Sequence, residues 1–173
     1  MTDPLNNTTT LTYNAAGQPL STTDPLGNTI QFAYDFGDLV ATTDPLSNST
    51  TRFTDVAGRL LSLTNPLGHL TRSDYDVLNR LLKVTDPLGG LTNFGYDPNG
   101  NLLSVTDARG SLTAYTYNSM DRLASRIDPL LKAESYQYDL ASNLTQFTDR
   151  KGQITTFTYD VLNRRTQATY ADK

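Results

Sequence analysis

The chain of 173 residues carries 14 Lys and Arg against 18 Asp and Glu, a net charge of −4 with a pI near 4.8. It lacks the basic footprint that nucleic acid or an anionic membrane surface requires. With no Cys there is neither a disulfide framework nor a thiolate metal site, and no run approaches the roughly 20 apolar residues of a membrane-spanning helix. Seventeen Asp against one Glu, with 4 Lys and 10 Tyr, is a composition of turns and strands, not of solvated helices. Leu, Ile, Val and Phe make up about 23% of the residues, little above the roughly 20% at which chains tend to stay disordered. A core as rich as that of an ordinary globular domain is therefore not expected.

Read from the N-terminus, the chain repeats itself. The same opening residue returns at Asp3, Asp24, Asp44, Asn65, Asp86, Asp107, Asp128 and Asp149, in steps of 21 apart from one step of 20 after Asp24. Eight repeats, starting at about residues 3, 24, 44, 65, 86, 107, 128 and 149, make residues 1–173 a single array. Each repeat holds two turn signals half a period apart. The first is Asp-Pro-Leu-Gly, with Pro4, Pro25, Pro45, Pro66, Pro87 and Pro129 at the position that pre-sets φ for a type I turn.

The second signal is Tyr-Asp-x-x-Gly, complete in Tyr96-Asp97-Pro98-Asn99-Gly100. Its Tyr and Asp recur at Tyr13, Tyr34-Asp35, Asp55, Tyr75-Asp76, Tyr117, Tyr138-Asp139 and Tyr159-Asp160. Gly17, Gly37, Gly58 and Gly100 supply the positive φ that such a hairpin loop needs. Asn79, Asp121 and Asn163 tolerate it, and Ser142 fits less well. Arg59, Arg80, Arg122 and Arg164 follow at one point of the repeat, where they can pair with neighbouring turn Asp residues or present a ladder to anions.

Between the signals lie segments of about six residues with the period-two alternation of strands. In Leu112 to Tyr117, Thr113, Tyr115 and Tyr117 share one face. Phe94, Tyr115, Tyr136 and Phe157 recur on that face, most simply as cross-strand packing and alternatively as a ligand-binding stripe. The reading is all-β: tandem 21-residue β-hairpins, about sixteen antiparallel strands, in a ribbon that strand twist must coil. Unpaired edge strands in such a ribbon predict self-association.

The pattern resembles the RHS or YD repeats of bacterial Rhs polymorphic-toxin shells, toxin-complex shells and teneurins. The resemblance spans the chain and rests on Tyr-Asp-x-x-Gly-Arg-Leu followed by Thr-Asp-Pro-Leu-Gly, nearly complete in Thr54-Asp55-Val56-Ala57-Gly58-Arg59-Leu60 and in Thr23-Asp24-Pro25-Leu26-Gly27 ahead of Tyr34-Asp35. It implies a spiral shell segment from a secreted or cell-surface bacterial protein, partnered by the rest of the shell and an enclosed effector. Departures occur where Thr54 replaces Tyr, where a residue is lost near Phe36-Gly37, and where Ala108 and Arg150 replace Pro. The chain stops at Lys173 inside a repeat, as a fragment of a longer protein would.

Nothing in the sequence assembles a catalytic, cofactor or metal site. His69, the one histidine, follows Gly68 in a turn and has no Cys to join it. Asp97 to Asn101 resembles a calcium loop, but its Gly comes too early and no bidentate Glu follows. Gly89-Gly90 opens no helix that could cradle phosphate. The expected function is a non-enzymatic structural segment that encapsulates or displays an effector; the alternative is a carbohydrate- or receptor-binding adhesion module.

Overall fold

The computed structural model describes residues 1–5 and 7–171 and divides into two units, Met1–Gly89 and Gly90–Lys173. In the first, β1 (Thr10–Tyr13), β2 (Pro19–Thr23), β3 (Thr29–Asp35), β4 (Asp38–Thr43), β5 (Ser49–Thr54), β6 (Leu60–Thr64), β7 (Leu70–Tyr75) and β8 (Leu81–Thr85) pair antiparallel in chain order. The second repeats the plan with β9 (Leu91–Tyr96), β10 (Leu102–Thr106), β11 (Leu112–Tyr117), β12 (Leu123–Ile127), β13 (Ala133–Tyr138), β14 (Leu144–Thr148), β15 (Ile154–Tyr159) and β16 (Arg165–Tyr170). The protein is all-β, built of hairpins as the period predicts.

The two turn signals produce one geometry. At Asp24 the carboxylate Oδ1 accepts the N–H groups of Leu26 (2.9 Å) and Asn28 (2.8 Å), while Gly27 N–H donates to the Asp24 carbonyl and Asp24 N–H to the Asn28 carbonyl, both at 3.0 Å. Asp55 does the same with Ala57, Arg59 and Gly58, at 2.9 to 3.0 Å. One short side chain thus satisfies two backbone donors that a tight turn would otherwise leave open, which is why Asp outnumbers Glu seventeen to one. The fourth turn residue is left-handed in both kinds, with φ of 86° at Gly27 and 76° at Gly58. Ser47, Asn79, Asp121, Leu131, Ser142 and Asn163 hold the same conformation without being glycine, at φ between 55° and 69°.

The single 20-residue step has a direct structural cause. Asp35 pairs with Asp38 across a two-residue loop whose Phe36 and Gly37 have φ of 46° and 96°. Positive φ at both central residues marks a type I′ hairpin turn, one residue shorter than its equivalents.

A second regularity is absent from the sequence reading. Each hairpin closed by a Tyr-Asp signal carries a register shift close to its turn: Thr116 faces Ser125 but Tyr117 faces Leu123, leaving Ala124 extra. The same slip recurs in the other Tyr-Asp hairpins of both units. Bulges of this kind bend the strand and strengthen its twist.

Register sorts the side chains into two chemically different faces. In the second unit Phe94, Val105 and Thr113 align across strands on one face, as do Tyr115, Arg126 and Glu134, and Tyr136, Phe147 and Thr155. The opposite face carries Gly95 and Ser104, Thr116 and Ser125, and Gln137 and Gln146. Among the described residues no hydrophobic side chain is fully buried, and Asp128 at 7% exposure is the buried polar one. Each hairpin is therefore held by its neighbours, not by a central core.

Candidate functional site

The signature side chains recur at the turn end of the strands, the Asp residues closing their own turns and several of the Tyr, Arg and Asn residues acting between repeats. Tyr13, Tyr34, Tyr75, Tyr96, Tyr117, Tyr138 and Tyr159 end or nearly end their strands; Asp35, Asp55, Asp76, Asp97, Asp139 and Asp160 close or follow the same strands as the chain enters the turn. The Tyr75 hydroxyl donates to the Leu60 carbonyl at 3.2 Å, and the Tyr159 hydroxyl to the Leu144 carbonyl at 2.9 Å. Each bond reaches back to the preceding repeat.

Arg59 reaches forward. Its Nε donates to Asp55 Oδ2 at 2.6 Å inside its own turn, while one terminal nitrogen donates to Asn79 Oδ1 at 2.8 Å and to the Asp76 carbonyl at 3.3 Å in the next turn. The guanidinium lies 5.3 Å from the Tyr75 ring centroid, within cation–π range. Arg122 repeats the forward half, bonding the Asp139 carbonyl at 2.7 Å and Ser142 Oγ at 3.2 Å, 4.9 Å from the Tyr138 centroid. Its own turn opens with Asn118, which offers no second carboxylate oxygen, and Arg122 Nε is buried without a partner. Asn replaces Arg in other repeats. Asn101 bonds Asp97 and then Asp121 (2.9 and 2.8 Å), and Asn143 bonds Asp139 and then Asn163 (both 2.9 Å).

These bonds hold the turn carboxylates ionised. Asp55 lies below the ordinary 3.8, first because the Arg59 side chain donates to it, and Asp97 likewise through the Asn101 side chain. For Asp76 and Asp160 the backbone N–H of Arg80 and of Arg164 is the leading cause. Arg80 and Arg164 also bond those carboxylates through Nε, at 2.6 and 2.7 Å.

The stripe residues Phe94, Tyr115, Tyr136 and Phe157 are all half-buried and lie opposite Val105, Arg126, Phe147 and Ala168. Tyr136 and Phe147 stack with centroids 5.2 Å apart, and the Arg165 guanidinium sits 5.6 Å from the Phe157 centroid. Beside the stripe is a network that sequence reasoning missed. Glu134 receives Arg126 at 3.4 Å, Arg150 at 3.2 Å and the Tyr136 hydroxyl at 3.1 Å, and Arg150 also meets Asp128 at 3.4 Å. Its signal was present: Glu134 is the one Glu, and Arg150 stands where most repeats have Pro.

The remaining candidates stay apart. His69 is exposed at the end of its turn, its N–H donating to Asn65 Oδ1 at 3.0 Å. Among the described residues no group of three His, Cys, Asp or Glu is placed to hold a metal, and no helix is long and apolar enough to cross a membrane. The geometry on this edge binds repeat to repeat.

Comparison with known proteins agrees with this geometry. The fold is similar to the crystal structure of TcdB2-TccC3-Cdc42, at 23% identity and a TM-score of 0.75 over 95% of this chain and 10% of that one. TcdB2-TccC3 without hypervariable C-terminal region matches at 23% and 0.74, with the same coverage. The Photorhabdus luminescens Tc holotoxin pore with a TccC3 mutation matches at 22% and 0.73, over 94% of this chain and 10% of that one. This chain thus spans about a tenth of the length of each of these chains. No curated protein matches it. The model of the RHS Repeat family matches residues 1–29, 13–49, 55–91, 96–130 and 135–173, nearly the whole sequence, and the chain belongs to the RHS repeat family.

Proposed function

We propose that this chain is a non-enzymatic structural segment, one array of eight repeats in the wall of an RHS-type shell on a secreted or cell-surface bacterial protein. The wall encloses or displays an effector domain that lies elsewhere in the parent protein. The observation that carries this reading is the two-way lock on the turn edge. Tyr reaches back to the preceding repeat and Arg or Asn reaches forward to the next, so each hairpin is completed by its neighbours. Such a design extends a sheet without needing an interior, which suits a thin wall. The similarity to TcdB2-TccC3 structures supports it at the level of fold.

The test uses the parent protein in its full reading frame. Under limited proteolysis the effector outside residues 1–173 survives while the repeats are intact, and is cut once the Arg59 and Arg122 locks are removed together. Equal cleavage in both proteins refutes the enclosure. A second reading, a carbohydrate- or receptor-binding adhesion module, draws on the half-exposed row of Phe94, Tyr115, Tyr136 and Phe157 beside Arg126 and Glu134. Saturable binding on a glycan array, lost in Tyr115→Ala, would favour it over the wall.

A further inference from the structure

Three departures from the repeat meet at one place in the first unit. The shortened turn puts Phe36 outside, fully exposed, in a left-handed conformation that an aromatic residue rarely takes. In the next hairpin, Thr54 stands where the other repeats have Tyr. The position before it, occupied elsewhere by Thr12, Ala33, Asp74, Gly95, Thr116, Gln137 and Thr158, is Phe53. The aromatic ring has moved by one residue, and because strand side chains alternate, it has changed face. Phe53 is 62% exposed on a face whose cross-strand neighbours are Ser62 and Arg72.

These residues line an open cup of about 710 Å³. Val40 and Leu61, both half-buried, contribute to it, with Phe36, Phe53 and the exposed Val56 around them. Asp35 and Asp38 stand exposed on it, and Asp38 Oδ2 accepts the Thr54 hydroxyl at 3.1 Å. The third carboxylate, Asp55, is committed to Arg59. None of the lining residues is basic.

We propose that the cup binds an Arg or Lys side chain, with an aliphatic neighbour, from a peptide segment of another polypeptide. Two carboxylates of like sign beside exposed rings repel one another, and a cation relieves that repulsion where a neutral sugar does not. The ring faces attract a guanidinium or ammonium group, and the apolar lining takes the aliphatic stem and its neighbour. The ordinary repeat offers neither ring at this position, so the cup belongs to this one place in the array. Independently of any enclosure, it gives the wall an address for a basic peptide.

The test follows the ring signals of Phe36 and Phe53 by NMR in the full chain, titrated with N-acetyl-arginyl-leucinamide and with its neutral citrulline counterpart. The arginine peptide gives saturable shifts at both rings, and the citrulline peptide binds about tenfold more weakly. Asp35→Asn with Asp38→Asn, both compatible with a tight turn, lowers arginine-peptide affinity by a similar factor, and Phe53→Thr, the small side chain of other repeats, removes it. Added salt weakens wild-type binding, a readout that needs no variant. Equal shifts from the citrulline peptide, salt-independent binding, no saturation, or comparable shifts from maltotriose would each overturn the proposal.

Discussion

Leu131 offers a sharp test of the turn geometry, because it and its neighbour Leu130 are about equally exposed and only Leu131 is left-handed, so their removal should have opposite consequences. It occupies the left-handed fourth position of the Asp128 turn at φ 59°, where most repeats carry Gly. A Cβ in that region costs about 1–2 kcal/mol. Replacing it with Gly relieves this, returns roughly 0.5–1 kcal/mol through the greater freedom of the unfolded chain, and forfeits little burial because the residue is 84% exposed. The lost burial amounts to about 0.3 kcal/mol if full burial of a Leu is worth about 2. Leu131→Gly should therefore stabilise the protein by about 0.5 kcal/mol. The neighbouring Leu130 is almost equally exposed, at 79%, but does not have a positive φ. Leu130→Gly should destabilise by roughly 0.5–1 kcal/mol. Urea denaturation followed by circular dichroism reads both as shifts of midpoint in opposite directions. If both variants shift down together, the left-handed strain assigned to Leu131 is wrong.

The same measurement checks three further expectations, and sedimentation checks a fourth. Asn118→Asp should raise the midpoint, by about 1 kcal/mol, by giving the buried Arg122 Nε the carboxylate that Asp55 gives Arg59, and the gain should vanish in an Arg122→Gln background. Tyr75→Phe should cost about 1 kcal/mol through the lost bond to Leu60, leaving the ring in place beside Arg59. Acid should unfold the chain: Asp24, Asp44, Asp55 and Asp97 are held below 3.8 by side-chain donors, so their contribution is complete above the unfolded value and is lost as pH falls through the lower folded one. The urea midpoint should be flat from about pH 5 to 7 and fall below about pH 4, and constancy down to pH 3 would contradict the carboxylate turns. Sedimentation should show concentration-dependent oligomers through the outer edge of β16, which among the described residues of its unit pairs only with β15.

The hairpins were legible because their cause is local. A carboxylate that closes its own turn needs no distant partner, so Asp24-Pro25-Leu26-Gly27 announces its structure in four letters. The face of Tyr115 and Tyr117 was equally legible, since alternation follows from the backbone alone. The bulges were hidden because they appear only when two strands are set side by side; Ala124 carries no mark of being the extra residue. The forward reach of Asn101 was hidden for a related reason. Its sequence suggests a local turn partner, Asp97, and it has one, but its second bond goes to Asp121, twenty residues on. The cup escaped notice because it is made of exceptions, and a reading tuned to periodicity treats Phe36, Phe53 and Thr54 as lapses.

The repeat also shows how a sheet can stay ordered with so little buried. An ordinary sheet is fixed in register by a hydrophobic face pressed on something else. Here the register of each hairpin is set at its turn by an Asp or Asn that accepts from two backbone donors, and at its other end by the next such turn. Burial is thereby freed from the task of specifying structure. Arg59, Asn101 and Asn143 then fix the spacing of successive turns by one bond inward and one bond onward. That division leaves the strand positions other than the closing Tyr open to variation at little structural cost, since neither the turn bonds nor the onward bonds depend on them. Phe53 can replace Thr and Glu134 its strand counterparts, and even Arg150 can replace Pro inside a turn, while the turn carboxylates go on holding the array in register.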